Sequence, residues 1–148
     1  MTGHLGIRLL GLAGVLSTIV SLVHFVTIFA GAPAYRYLGA GERMARMAER
    51  GSLVPAAITL GLTALFATWA AYAFSGATLI RALPFLKVVL VSIGSIYTLR
   101  GLALVPQIVV FLSSADAPFP PRHLFFSAVS LLTGVLYLWG AVRTWRQG

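Results

Sequence analysis

The chain has 148 residues, of which 59% are hydrophobic and 9% are charged, with a mean hydropathy of +0.93; because soluble domains carry about 25% charged residues, this composition predicts a single transmembrane domain over residues 1–148. The absence of cysteine from the sequence excludes disulfide exchange, thiolate catalysis, iron–sulfur clusters and cysteine-ligated zinc. The formal net charge is +8, and since the basic residues flank apolar runs we expect anionic lipid headgroups, not nucleic acid, as partners.

Four apolar runs are long enough to cross about 30 Å of hydrocarbon as helices; they cover residues 9–30, 53–74, 88–112 and 124–141. The first follows a short basic stretch, as in a signal peptide, but it exceeds the length of a signal h-region and is expected to be a retained span. Pro106 falls inside the third run and predicts a kink one turn beyond Arg100.

The connection between the first two runs, residues 31–52, is the longest, and its middle has the pattern of an amphipathic helix over 41–50. Glu42 precedes Arg46 by four residues, which is the favoured order for an ion pair on a helix. This segment is too polar to span the membrane and is expected to lie at its interface. The predicted fold is therefore all-α: an integral membrane four-helix bundle with a short interfacial amphipathic helix between spans 1 and 2.

An even number of spans places both termini on the same side of the membrane. The basic residues divide equally, with Arg8, Arg81, Lys87, Arg143 and Arg146 on that side and Arg36, Arg43, Arg46, Arg50 and Arg122 on the other. This balance does not decide the orientation. We expect the termini in the cytoplasm because Arg8 and the pair Arg81 and Lys87 flank their connections closely.

Arg100 interrupts the most apolar stretch of the chain. A charge at that depth costs roughly 2.5–3.5 kcal/mol on insertion scales, so it needs a partner or a wet cavity. On an unbroken helix Tyr97 and Gln107 lie within about 80° of Arg100, and the span directions bring other polar residues to the same membrane face. The sequence predicts a one-sided polar pocket whose ligand-binding residues are Arg100, His24, Gln107, Tyr97, Glu42 and His123.

Three alternatives for how the charge of Arg100 is accommodated remain open. Glu42 or Glu49 can fold in from the connection and pair with it, with Asp116 as a weaker candidate. A bound anion, such as a fatty-acid carboxylate, a lipid phosphate or a small metabolite, suits a planar guanidinium equally. The third alternative is structural: Arg100 snorkels, or it bonds a carbonyl freed by Pro106.

The two histidines nearest this pocket do not predict a cofactor. His123 is expected at the membrane surface and His24 about six residues deep, so the pair is mismatched for axial haem ligation. They also lack the spacing of a metal site with a nearby acid. We therefore expect no cofactor, and we expect His24 to hydrogen-bond a neighbouring helix.

Certain short runs resemble those of small four-span proteins of bacterial inner membranes to which no activity is assigned. These runs are His24–Phe25, residues 31–36 (Gly-Ala-Pro-Ala-Tyr-Arg), 39–42 (Gly-Ala-Gly-Glu), 99–101 (Leu-Arg-Gly) and Pro106–Gln107. The resemblance implies a bacterial inner-membrane location and no particular reaction. In span number and size the chain is also similar to DoxX-like membrane proteins.

The function expected from the sequence is binding without catalysis: the chain binds an anionic amphiphile or serves as a small membrane subunit, with a membrane protein or a second copy as partner. A competing hypothesis is a lipid-modifying or redox-accessory enzyme in which Glu42 orients His24 as a base. A third is a structural assembly factor, which predicts a dry, packed bundle around Arg100 and places small residues such as Gly94 and Gly101 on an outward face.

Overall fold

The structure, a computed structural model, describes residues 2–113 and 119–145. Within these ranges the chain forms seven helices and no strand: α1 (Thr2–Ala30), α2 (Ala32–Leu38), α3 (Glu42–Glu49), α4 (Val54–Gly76), α5 (Leu86–Gly101), α6 (Leu104–Ser113) and α7 (Arg122–Trp145). Four helical stretches are long and apolar enough to cross a membrane: His4–Ala30, Val54–Gly76, Leu86–Ser113 and Arg122–Trp145. The prediction of four membrane-spanning helices is confirmed in length and composition.

The chain divides into two compact units, one formed by Met1–Gly14 with Ala71–Gly148 and the other by Val15–Ala70. In the first unit, α5 packs along α7. Ser130 of α7 donates a hydrogen bond from its hydroxyl to the carbonyl of Tyr97, at 3.1 Å, and the Tyr97 ring stacks on Tyr137 with 5.9 Å between centroids. These contacts place polar atoms and aromatic rings at the buried seam of the two helices.

Glycine determines how close α5 and α7 come. A Cβ atom added at Gly94 would lie 2.8 Å from the Leu138 side chain, and one at Gly101 would overlap the backbone of Leu131. Small residues permit such close helix packing in membranes. Both glycines therefore face α7, not the outward surface that a structural assembly factor would require of them.

The third membrane-spanning stretch is interrupted between α5 and α6. The Ala103 N–H donates to the Arg100 carbonyl at 3.4 Å and the Val105 N–H to the Leu102 carbonyl at 3.1 Å, so both bonds span three residues and not four. Pro106 has no N–H to donate to Leu102, which removes the next helical bond. The structure thus interrupts the helix at Leu102 and Ala103, before Pro106, in the region where the sequence predicts a kink.

In the second unit, α2 and α3 form a short helical hairpin. Gly31, with φ 67°, joins α1 to α2, and Gly39, with φ 81°, begins the turn to α3. Both backbone conformations are ones that side chains disfavour. The hairpin buries Ala32, Tyr35 and Ala45 against one another. Helix α3 falls where the sequence predicts a helix, whereas α2 was not predicted.

Candidate functional site

Arg100 lies near the middle of Leu86–Ser113, at the penultimate position of α5. Its side chain is exposed, as are Leu99 (69%) beside it and Ile96 (49%) one turn earlier. No ion pair joins Arg100 to any residue of the described part of the chain. This outward position differs from the inward one predicted from the sequence, because α5 turns the face that carries Tyr97 and Gly101 towards α7.

Two buried polar atoms lie on either side of the interruption in the third span. The Thr98 hydroxyl oxygen and the Gln107 side-chain carbonyl oxygen have no hydrogen-bond partner within residues 2–113 and 119–145. Buried polar atoms are nearly always paired in folded proteins. The third span therefore carries three polar groups without a hydrogen-bond or ion-pair partner among the described residues: the Thr98 hydroxyl, the Gln107 carbonyl oxygen and the Arg100 guanidinium.

Tyr97 and His123 occupy different environments from Arg100. Tyr97 is 5% exposed and packs against Tyr137, so it serves the seam between α5 and α7 and does not line an open pocket. His123 is half-buried at the start of α7 and stacks on Phe119, with 6.2 Å between ring centroids. Asp116, the weaker candidate partner of Arg100, lies outside the described residues.

His24 bonds its own helix. Its Nδ1 lies 2.8 Å from the Val20 carbonyl oxygen, and since a carbonyl oxygen can only accept, Nδ1 is the donor of this bond. The ring also contacts Phe66 at 4.9 Å. The expected hydrogen bond from His24 to a neighbouring helix is therefore not the one found. Instead Ser21 makes such a bond, donating to the Thr63 carbonyl at 2.8 Å.

The two glutamates of α3 are bound by arginines of their own hairpin. Arg36 donates hydrogen bonds to both carboxylate oxygens of Glu42, at 2.9 and 3.0 Å, and to one carboxylate oxygen of Glu49, at 2.7 Å. Arg46 adds a bond from its Nε to Glu42 at 3.1 Å. Glu42 is thus engaged by Arg36 and Arg46, and it neither orients His24 nor supplies the anion for Arg100.

These hydrogen bonds shift the pKa values of Glu42, Glu49 and Arg36. The bonds from Arg36, then from Arg46, lower the pKa of Glu42 from 4.5 to about 2. Arg36 also lowers the pKa of Glu49, and the two carboxylates raise the pKa of Arg36 in turn. Both glutamates therefore remain ionised at any pH near neutrality, and neither is suited to act as a general base.

Sequence reasoning missed the role of Arg36. The signal was present: Arg36 and Glu42 flank the turn that contains Gly39 and Gly41. A tight turn between two short helices brings the end of one beside the start of the next. Because α2 was not predicted, this proximity was not predicted either.

A groove of about 660 Å³ lies between the second half of α1 and α2. It is lined by Ile19, Leu22, Val23, Val26, Thr27, Ala30, Pro33, Ala34, Tyr37 and Leu38. Its lining is almost wholly apolar and contains none of the predicted site residues. The size and the lining of the groove suit an apolar chain.

Over residues 2–113 and 119–145, no group of three histidine, aspartate or glutamate side chains is placed to hold a metal ion. Comparison of the chain with protein-family models, with curated protein sequences and with solved structures found no match. Arg100 and the α2–α3 hairpin are the polar features of the described residues that offer binding chemistry.

Proposed function

We propose that the chain is a multi-span protein of the bacterial inner membrane that serves as a small membrane subunit, with Arg100 as the group that docks it onto a partner. In this proposal the four long helices form a bundle, and α3 lies at the membrane interface as an amphipathic helix. The partner is a membrane protein that carries a carboxylate at the depth of Arg100.

One observation carries the proposal: an arginine near the middle of a membrane-spanning stretch is exposed and has no ion pair among the described residues. Contact between a guanidinium and hydrocarbon is unfavourable by several kcal/mol unless an anion or water accompanies it. The exposed neighbours Leu99 and Ile96 make this an apolar helix surface with one charge. Such a surface fits a partner helix with a matching acid, because apolar contacts surround and desolvate the pair.

The interruption beside Arg100 supports the same conclusion. Non-helical backbone at membrane depth is tolerated where protein or a water-filled cavity surrounds it. The turn at Leu102 and Ala103 begins two residues after Arg100, and Leu102 is 47% exposed. A partner helix that covers Arg100 would cover this turn as well.

A second copy of the chain is the less favourable partner. The four apolar runs contain no aspartate or glutamate, so a second copy offers no carboxylate within its spans. Two copies joined symmetrically through this surface would bring their arginines together, and like charges repel. The acid is therefore expected on a different protein.

The test is co-purification in mild detergent from bacterial membranes, with protein and lipid both quantified by mass spectrometry. Breaking a buried charge pair costs about 3–5 kcal/mol, so Arg100→Leu should weaken the affinity for the partner more than a hundredfold and remove most of the partner from the purified sample. Arg100→Lys should retain part of it. Arg81→Leu, which removes an exposed cation from a connection, is the matched control and should leave the yield unchanged.

A protein counts as the partner only if it has an acidic residue in a membrane span. Exchanging the two charges, with Arg100→Glu in this chain and the partner's acid changed to arginine, must also restore the complex. Loss of a bound fatty acid or phospholipid in Arg100→Leu, with no change in protein partners, would favour the anionic amphiphile instead. Equal protein and lipid profiles for wild type and Arg100→Leu would refute the role of Arg100 in binding.

A further inference from the structure

The outer face of α3, extended by its C-cap residue Arg50, carries three arginines. Arg43, Arg46 and Arg50 recur at positions i, i+3 and i+7, which places them within about 60° of one another on a helix of about 100° per residue. All three are exposed, and 65% of the Arg46 side chain is accessible. The buried side of the helix is formed by Ala45, with Met44 and Ala48 partly buried beside it. The arginine face therefore points away from the hairpin core.

Arg36 competes with this face for the two acids. Glu42 and Glu49 both bond to Arg36, and Glu42 also bonds to Arg46. Without Arg36, the long glutamate side chains would be free to turn further towards Arg43, Arg46 and Arg50, since residues three or four apart on a helix are neighbours. Arg36 thus holds Glu49 and part of the bonding capacity of Glu42, and the arginine face keeps a net positive charge.

The arginines of this face retain capacity for another anion. Arg46 uses only its Nε for Glu42. Arg43 and Arg50 have no ion pair within the part of the chain that the structure describes. Guanidinium groups bind phosphate and carboxylate oxygens in pairs. Three such groups on one helix face form a phosphate-binding surface of about two helical turns.

The position of α3 in the chain determines which phosphates it meets. It lies in the connection between two helices that are apolar enough to cross a membrane, and Arg50 is four residues before Val54, the first residue of α4. Leu53, between them, is 80% exposed and is suited to insert among acyl chains. This step depends on the interfacial location of α3 that the proposed function includes.

We propose that the arginine face of α3, formed by Arg43, Arg46 and Arg50, binds the phosphates of anionic phospholipids. Arg36 is a positioning residue that holds Glu49 and shares Glu42 with Arg46, so that neither carboxylate neutralises Arg43 or Arg50. Basic side chains near an anionic membrane each strengthen binding about fivefold. The three arginines together are expected to strengthen it about a hundredfold over a zwitterionic lipid.

The first experiment measures binding of phosphatidylglycerol and phosphatidylcholine to the full chain in detergent by native mass spectrometry. The triple variant Arg43→Gln, Arg46→Gln and Arg50→Gln should weaken phosphatidylglycerol binding about a hundredfold and leave phosphatidylcholine binding unchanged. The control variant removes three exposed cations elsewhere, with Arg8→Gln, Arg81→Gln and Lys87→Gln, and should retain most of the affinity. Equal losses in the two triple variants, or none in the first, would overturn the proposal.

The second experiment tests the positioning role. Arg36→Gln should weaken phosphatidylglycerol binding about five- to tenfold, because the released glutamates neutralise the arginine face. Adding Glu42→Gln and Glu49→Gln to Arg36→Gln should restore wild-type affinity. A role of Arg36 in folding alone would leave the triple variant as weak as the single one, which would contradict the proposal.

The two proposals are separable in the same assay. Arg100→Leu should bind phosphatidylglycerol as wild type does, since the arginine face of α3 is intact. Loss of partner binding in that variant with normal lipid binding would support both proposals. Normal partner binding with normal lipid binding would refute only the role of Arg100.

Discussion

Replacing Gly101 with alanine tests whether α5 and α7 pack backbone against backbone. The new Cβ would overlap the Cα and N atoms of Leu131 and would lie 2.6 Å from its Cβ. Backbone atoms cannot rotate away as the end of a side chain can, so the helices must separate. Over-packing of a well-packed core costs about 1–3 kcal/mol, and the upper half of this range is expected for Gly101→Ala because the obstacle is the opposing main chain.

Gly61→Ala is the matched control. A Cβ at Gly61 of α4 would meet no heavy atom within 4 Å, and alanine favours a helix over glycine by up to about 1 kcal/mol. Unfolding in mixed micelles of increasing SDS content, followed by far-ultraviolet circular dichroism, should show Gly101→Ala unfolding earlier and Gly61→Ala unfolding no earlier than wild type. If both variants unfold with wild type, the close approach of α5 and α7 is refuted.

Two further predictions concern side chains outside this seam. The hydrogen bonds from Arg36, then from Arg46, lower the pKa of Glu42 from 4.5 to about 2. The ion pair of Glu42 therefore stabilises the hairpin above about pH 4.5, and this stabilisation is lost as the pH falls towards 2. The amide protection factors of α3 should fall over the same pH range, and a loss of protection already above pH 5 would contradict this prediction. In a thermal melt followed by circular dichroism, Ser75→Ala should destabilise the fold by about 1–3 kcal/mol, because the buried hydroxyl accepts from the Leu83 N–H at 2.9 Å. Ser92→Ala, at an exposed site, should change stability little in that melt, and equal effects of the two variants would refute the stabilising role of the Ser75 hydroxyl.

The membrane-spanning helices were predictable because hydropathy depends only on local composition. Each predicted apolar run overlaps a helical stretch that is long and apolar enough to span, and only Leu53 of the second run lies outside its helix. The break before Pro106 was also predictable, since a missing N–H acts on its own turn. The contacts of Arg36 were not, because they depend on a turn between two short helices whose geometry no periodicity shows.

The sequence places Arg100 in an inward pocket, whereas its side chain is exposed in the structure. An angular calculation on one continuous helix groups Tyr97, Arg100 and Gln107, but the interruption at Leu102 and Ala103 separates Gln107 from the helix that carries the other two. On α5 itself, close packing at Gly101 determines which side faces α7. Polarity alone gave Arg100 an inward position, whereas the glycine at its side decides the orientation.

Arg36 and Arg100 show how the same side chain leads to opposite conclusions in different surroundings. Arg36 lies in a polar hairpin that supplies two carboxylates within 3.0 Å, so its charge is balanced locally and its effect is on the shape of the hairpin. Arg100 lies in an apolar span where the sequence supplies no acid. In the proposed function an anion from another molecule balances this charge, and Arg100, not the better-connected Arg36, is therefore the residue through which a partner is expected to bind.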